Sequence, residues 1–254
     1  MSISYPGRTI YPAMGRLNKR PSYNCSSAGT EITVPGSSSS PAVVMIDGKI
    51  YENVADVTCD LDTTGAISAG RGSIDTGSIA ANIPYYLYGI SGVSGLGFDV
   101  IASADPPTTG PTGFTSWTYI GACCTESHIA RIASFMSSNG TYIATDELSS
   151  DDYAAGISTP AIAFIDNCPS TARRGYFQLL TISGAGAAGD FVYITGVDAT
   201  DDCLAVRVQS DTISSAMQGW CPIITPQTVW AIPSASAGIT LQLQGWQEDP
   251  AEWK

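Results

Sequence analysis

Charge is scarce in this chain: Asp, Glu, Lys and Arg together make up only 13% of its residues. Long amphipathic helices need a charged face, so coiled coils and helical repeats are excluded. Histidine occurs once, as His128, and any Ser-His-Asp or Cys-His mechanism would have to pass through it. Neighbouring strand residues point to opposite faces, so the run Glu126-Ser127-His128 does not make a triad by itself. The seven cysteines include no CxxC pair, which removes the spacing of a zinc ribbon. Long apolar runs are missing as well, since stretches such as Ala161–Ile165 are far too short to span a bilayer. The opening MSISYPGRTIYPAMGR lacks the apolar centre of a signal peptide. These absences predict a soluble protein made in the cytoplasm, without membrane insertion.

What is present is β-forming sequence in quantity. The 254 residues suffice for one large β domain or two small ones with a sizeable core. Ala42-Val-Val-Met-Ile46 and Lys49-Ile-Tyr-Glu-Asn-Val54 flank Asp47-Gly48, and Ile129–Met136 and Tyr142–Ala144 flank Ser-Ser-Asn139-Gly140, pairs that favour a tight hairpin. Val57, Cys59 and Leu61 alternate with Thr58, Asp60 and Asp62, which predicts a strand with one buried face. Further β-branched or aromatic runs cover Tyr85–Ile90, Phe98–Ala102, Trp117–Ala122, Ile129–Met136, Tyr142–Ala144, Tyr176–Ile182, Phe191–Ile194, Leu204–Val208 and Ile239–Gln244. Only Glu147–Ala155 offers a helical turn or two. The expected fold is all-β, an antiparallel, jelly-roll-like β-sandwich over residues 42–254, with scope for two β subdomains. Residues 1–41, rich in Pro, Gly and Ser, are expected to be an extended arm and linker.

The charge is unevenly placed. Eleven basic against 23 acidic residues give a net charge of −12, which argues against nucleic acid as a partner. Yet Arg8, Arg16, Lys19 and Arg20 fall in the first 20 residues, where there is no acid, so the remainder of the chain carries −16. A basic stretch ahead of an acidic body suggests a tether that docks on an acidic partner, with those four residues making the contacts. Cys59 and Cys203 lie in strand-like runs and read as small core residues, whereas Cys25 in the arm is the first candidate for an intermolecular disulfide.

Other chemistry has weak signals. Two carboxylates suffice for glycoside hydrolysis, and Asp60 with Asp62, Asp151 with Asp152, or Asp201 with Asp202 could supply them. The Asp198–Asp202 turn lacks the loop spacing of a calcium site. Gly184-Ala-Gly-Ala-Ala-Gly189 precedes the strand-like FVYIT rather than a helix, so it lacks the context of a dinucleotide site. No catalytic residue, metal or cofactor is assigned. Tyr86 with Tyr88, and Trp117 with Tyr119, share strand faces and could stack on sugar rings.

The segment Asp75-Thr-Gly-Ser-Ile-Ala-Ala-Asn-Ile-Pro-Tyr-Tyr-Leu-Tyr-Gly-Ile90, then Gly97–Ala104, a Pro- and Thr-rich loop and Gly113–Gly121, is similar to a module of tailed-bacteriophage tail-fibre and related virion proteins. The run from Tyr176 through Leu204–Gln209 to Gly245-Trp246 also resembles the way such modules finish, so the likeness covers residues 70–254. The chain departs from the pattern at Trp117-Thr-Tyr119, where the family carries a basic residue before Ile-Gly, and at Cys123-Cys124, where an arginine-containing strand is common. The resemblance implies a non-enzymatic virion protein, assembled in the host cytoplasm as a homotrimer and attached by its N-terminus to capsid, neck or tail. A receptor- or glycan-binding fibre module is the alternative, with a polysaccharide depolymerase behind it.

Overall fold

Strand after strand, the β-branched and aromatic runs find partners by curling one long sheet over itself. The computed structural model describes residues 4–5, 8–9, 20–25, 29–64, 72–92, 97–126, 129–144, 149–157, 161–164, 168–181, 191–196, 204–207, 216–233 and 237–248. Among them there is no helix. The chain opens with β1 (Ser4–Tyr5), β2 (Arg8–Thr9), β3 (Tyr23–Cys25), β4 (Glu31–Val34), β5 (Ala42–Ile46), β6 (Lys49–Asn53) and β7 (Val57–Thr64). It continues with β8 (Ser73–Ile74), β9 (Pro84–Ser91), β10 (Phe98–Ser103), β11 (Trp117–Cys124), β12 (Phe135–Ser138), β13 (Thr141–Ala144) and β14 (Ser149–Ile157). The last part holds β15 (Ala161–Phe164), β16 (Ala172–Thr181), β17 (Phe191–Thr195), β18 (Leu204–Arg207), β19 (Ala216–Pro222), β20 (Thr228–Pro233) and β21 (Ala237–Glu248).

The main sheet runs β11-β9-β10-β8-β7-β4-β3-β12-β13-β21-β16-β19, with β14 also on β21. Its pairings are antiparallel except at β8, which is parallel to both β7 and β10. The β11–β9 end lies over the β3–β21–β16 region, making two layers with a shared core. Three contacts across the layers fix this closure. Tyr23 Oη donates to the Ala122 carbonyl at 2.8 Å and accepts from its N–H at 2.9 Å, Tyr86 Oη meets Ser170 Oγ at 2.9 Å, and Tyr119 Oη donates to Glu248 at 2.5 Å. A second sheet, β15-β20-β17-β18, is also antiparallel. The expected all-β sandwich is therefore the fold.

Both predicted hairpins form, because Asp47 with Gly48 (φ 49° and 74°) and Asn139 with Gly140 (φ 51° and 79°) supply the two left-handed residues that a tight hairpin turn needs. Asp75 folds the Pro- and Thr-rich loop: its carboxylate accepts from the N–H groups of Thr76 and Thr112, each at 2.7 Å. Trp117 then packs against Gly110, where a Cβ would lie 2.5 Å from the indole ring.

Three expectations need correction. Residues 23–34, read as arm and linker, hold β3 and β4 in the middle of the main sheet, because Tyr23, Cys25, Ile32 and Val34 bury their side chains. In the stretch Glu147–Ala155 the described residues, from Ser149 on, are not helical: residues 149–157 form β14 against β21. The run Ile129–Met136 is a strand only from Phe135, preceded by isolated bridges at Ile132.

Candidate binding face

The residues singled out from sequence are, for the most part, inside. Tyr86, Tyr88 and Tyr119 are 3%, 0% and 5% exposed, and Trp117 is half-buried. Their rings pack on one another, with centroids 5.0 Å apart for Tyr88–Trp117 and 5.8 Å for Tyr88–Tyr119. They are core residues rather than a sugar-stacking face, because the β9–β11 pair is covered by the opposite layer.

Arg20 is likewise inward. Its guanidinium forms an ion pair with Glu248 and lies 4.8 Å over the Tyr119 ring. Glu248, whose side chain is 1% exposed, also accepts from the hydroxyls of Tyr119 and Thr171. Burial, followed by the Glu248 charge, raises the Tyr119 phenol well above its ordinary range. A side chain engaged in this way is not offered to a docking partner. An open depression of about 510 Å³ adjoins it, lined by Arg20, Pro21, Ser22, Pro41, Val43 and Asp56. Arg8 falls in β2, while Arg16 and Lys19 lie outside the described residues.

Cys25 is 3% exposed between β4 and β12, so an intermolecular disulfide there would require the sheet to open. Cys59, Cys123, Cys124 and Cys168 are also buried, and desolvation pushes each thiol upward. Asp60 accepts from the Asp62 N–H at 3.1 Å, an arrangement internal to its strand. His128, Gly184–Gly189 and Asp198–Asp202 lie outside the described residues, and Asp151 with Asp152 is placed only by its positions in β14. Among the described residues, no group of three His, Cys, Asp or Glu could hold a metal.

An aromatic surface does exist, on strands that sequence reading did not single out for binding. Tyr176 of β16 is paired directly with Trp220 of β19, and Gln178 with Gln218, so all four side chains share one face. Phe177 and Cys221 point the other way and are buried. The Tyr176 and Trp220 rings are half-buried, 5.2 Å apart and inclined at 44°, with Arg174 5.9 Å over the indole. Beside them three amides join head to tail. Tyr176 Oη donates to Gln218 Oε1 at 3.4 Å, Gln218 Nε2 to Gln244 Oε1 at 3.3 Å, and Gln244 Nε2 to Gln178 Oε1 at 2.6 Å. Across β21 and β13 the row continues through Gly245 to Ile143, which is 38% exposed, and Met136, which is 72% exposed. The signal in the sequence was the alternation itself: Tyr176 and Trp220 are in step with glutamines, which mark the wet face.

Comparison with known families finds no matching family model, and no curated protein matches the chain. Solved structures include weak likenesses to two structures of infectious bursal disease virus. The VP2 subviral particle is 14% identical over 97% of this chain and 75% of that one, with a TM-score of 0.19. The Gx strain structure is 15% identical over 96% and 72%, with a TM-score of 0.16. Overlap this small supports no statement about shared fold or role.

Proposed function

We propose that this chain is a non-enzymatic structural component of a tailed-phage virion, a fibre, spike or decoration protein. Its basic N-terminal stretch docks on capsid, neck or tail proteins, and its β body, as a homotrimer, faces outward. The observation that carries this reading is the charge division between the first 20 residues and the −16 body, combined with the fastening of Arg20 to Glu248. A tether is useful only if its root is secured to what it carries, and the buried ion pair secures it. The resemblance over residues 70–254 supports the same reading. Contacts on the partner fall to Arg8, Arg16 and Lys19, which ordering on an acidic surface would turn into charge-assisted hydrogen bonds.

Quantitative mass spectrometry of purified particles, comparing copies of this chain with copies of the major capsid protein, tests the assignment. A ratio near one indicates a head decoration and a ratio of a few per cent a neck or tail position. Absence from particles removes the virion reading. Docking is tested separately with Arg8→Glu, Arg16→Glu and Lys19→Glu together, leaving Arg20 intact. Incorporation is expected to fail while the body melts as before; unchanged incorporation would show that the arm does not dock the protein.

A further inference from the structure

We propose that the outer face of β19–β16–β21 binds a neutral oligosaccharide, with Trp220 and Tyr176 as the stacking platform and Gln178, Gln218 and Gln244 as the hydroxyl-reading strip. A pyranose ring offers an apolar face of C–H groups and a rim of hydroxyls that both donate and accept. This surface offers the complement of each. The two rings present inclined aromatic faces 5.2 Å apart, and the carbohydrate C–H groups carry the partial positive charge that such faces attract.

The amides are held in place before any ligand arrives. Gln218 and Gln244 each engage one donor and one acceptor in the relay and Gln178 one acceptor, and a primary amide has two of each. The relay runs in one direction and ends at Gln178 Nε2, a donor with no acceptor among the described residues. Preorganised side chains lose less freedom on binding than mobile ones.

Charge selects the class of glycan. The body carries −16, and the platform adds only the cation Arg174. A polyanionic polysaccharide would meet the field of the whole body, whereas a neutral chain meets none.

The test is calorimetric titration of the full chain with a panel of neutral hexasaccharides of glucose, mannose and galactose, and with a polyuronate of equal length. At least one neutral chain is expected to bind, and the polyuronate is not. Trp220→Ala should weaken binding at least about tenfold, Gln178→Ala about threefold to tenfold, and Trp220→Phe should restore most of the affinity. Unchanged melting of each variant shows that the fold is intact. The proposal is overturned if no neutral chain binds at millimolar concentration, if only the polyuronate binds, or if Trp220→Ala leaves affinity unchanged while altering the sedimentation coefficient, which would make the face a subunit contact. These outcomes are independent of particle stoichiometry, so the virion reading stands or falls separately.

Discussion

Two aromatic pairs meet opposite fates in this molecule. Tyr86 and Tyr88 on β9 lie in the core, while Tyr176 on β16 and Trp220 on β19 look outward. The difference resides in their neighbours along each strand. In β9 every residue from Tyr85 to Ile90 is buried, so the strand is covered on both faces. In β16 the buried residues Phe177 and Leu179 alternate with half-buried Tyr176 and Gln178. An aromatic inside a continuous apolar run is therefore core, and an aromatic in step with glutamine is surface.

Two tryptophans give the sharpest test of that contrast. Trp246 is 0% exposed and stacked on Tyr142 with centroids 3.7 Å apart. Trp246→Ala should cost about 3–5 kcal/mol in urea unfolding, by loss of transfer energy and formation of a cavity. Trp220→Ala should change stability by no more than about 1 kcal/mol. If the two variants lost similar stability, the outer face would not be a surface.

Ion pairs repeat the contrast on a smaller scale. Arg20→Ala strands Glu248 inside and should cost about 3 kcal/mol. Arg131, whose side chain is 46% exposed, bonds Glu126 at 2.8 Å, and Arg131→Ala should cost about 1 kcal/mol or less. Thermal melts of the pair decide the matter.

The buried thiols and phenols set a pH dependence. Burial raises Cys123, Cys124 and Tyr119 well above their ordinary values, so the folded state keeps its protons where the unfolded chain releases them. Their contribution is complete below the unfolded thiol range of about 8.5 and is lost as pH climbs toward the folded values. Urea midpoints should fall steadily from pH 8 to 10.5. Below pH 8.5 a thiol reagent should label none of the six described cysteines before unfolding; rapid labelling would refute their burial.

Tyr142 supplies the smallest effect. It is stacked between Phe135 and Trp246, and its hydroxyl is buried without a hydrogen-bond partner among the described residues. Tyr142→Phe removes an unpaid desolvation and should raise stability by up to about 1 kcal/mol. A loss of that size instead would mean that the hydroxyl is satisfied.

Local patterns carried much of the fold into the sequence. Asp47-Gly48 and Asn139-Gly140 announced their hairpins, and Ile239–Gln244 announced a half-buried strand, because turn chemistry and alternation are short-range properties. Strands β3 and β4 escaped notice because they are only three and four residues long, and their outer partners, β12 for β3 and β7 for β4, come later in the chain. Arg20 was legible as a charge, but its partner Glu248 is 228 positions away. The outer face was hidden for a related reason. Its members come from three strands, and only their register brings the tyrosine, tryptophan and glutamines together.

The fastening of Arg20 to Glu248 also determines how the body would carry tension. A pull on the N-terminal stretch reaches Arg20 before it reaches β3, and the ion pair passes part of it to β21. That strand is hydrogen-bonded to β13, β14 and β16, so the force spreads along several ladders at once instead of peeling a single edge. A body pulled from its N-terminal end would thereby resist unravelling from the end at which it is held.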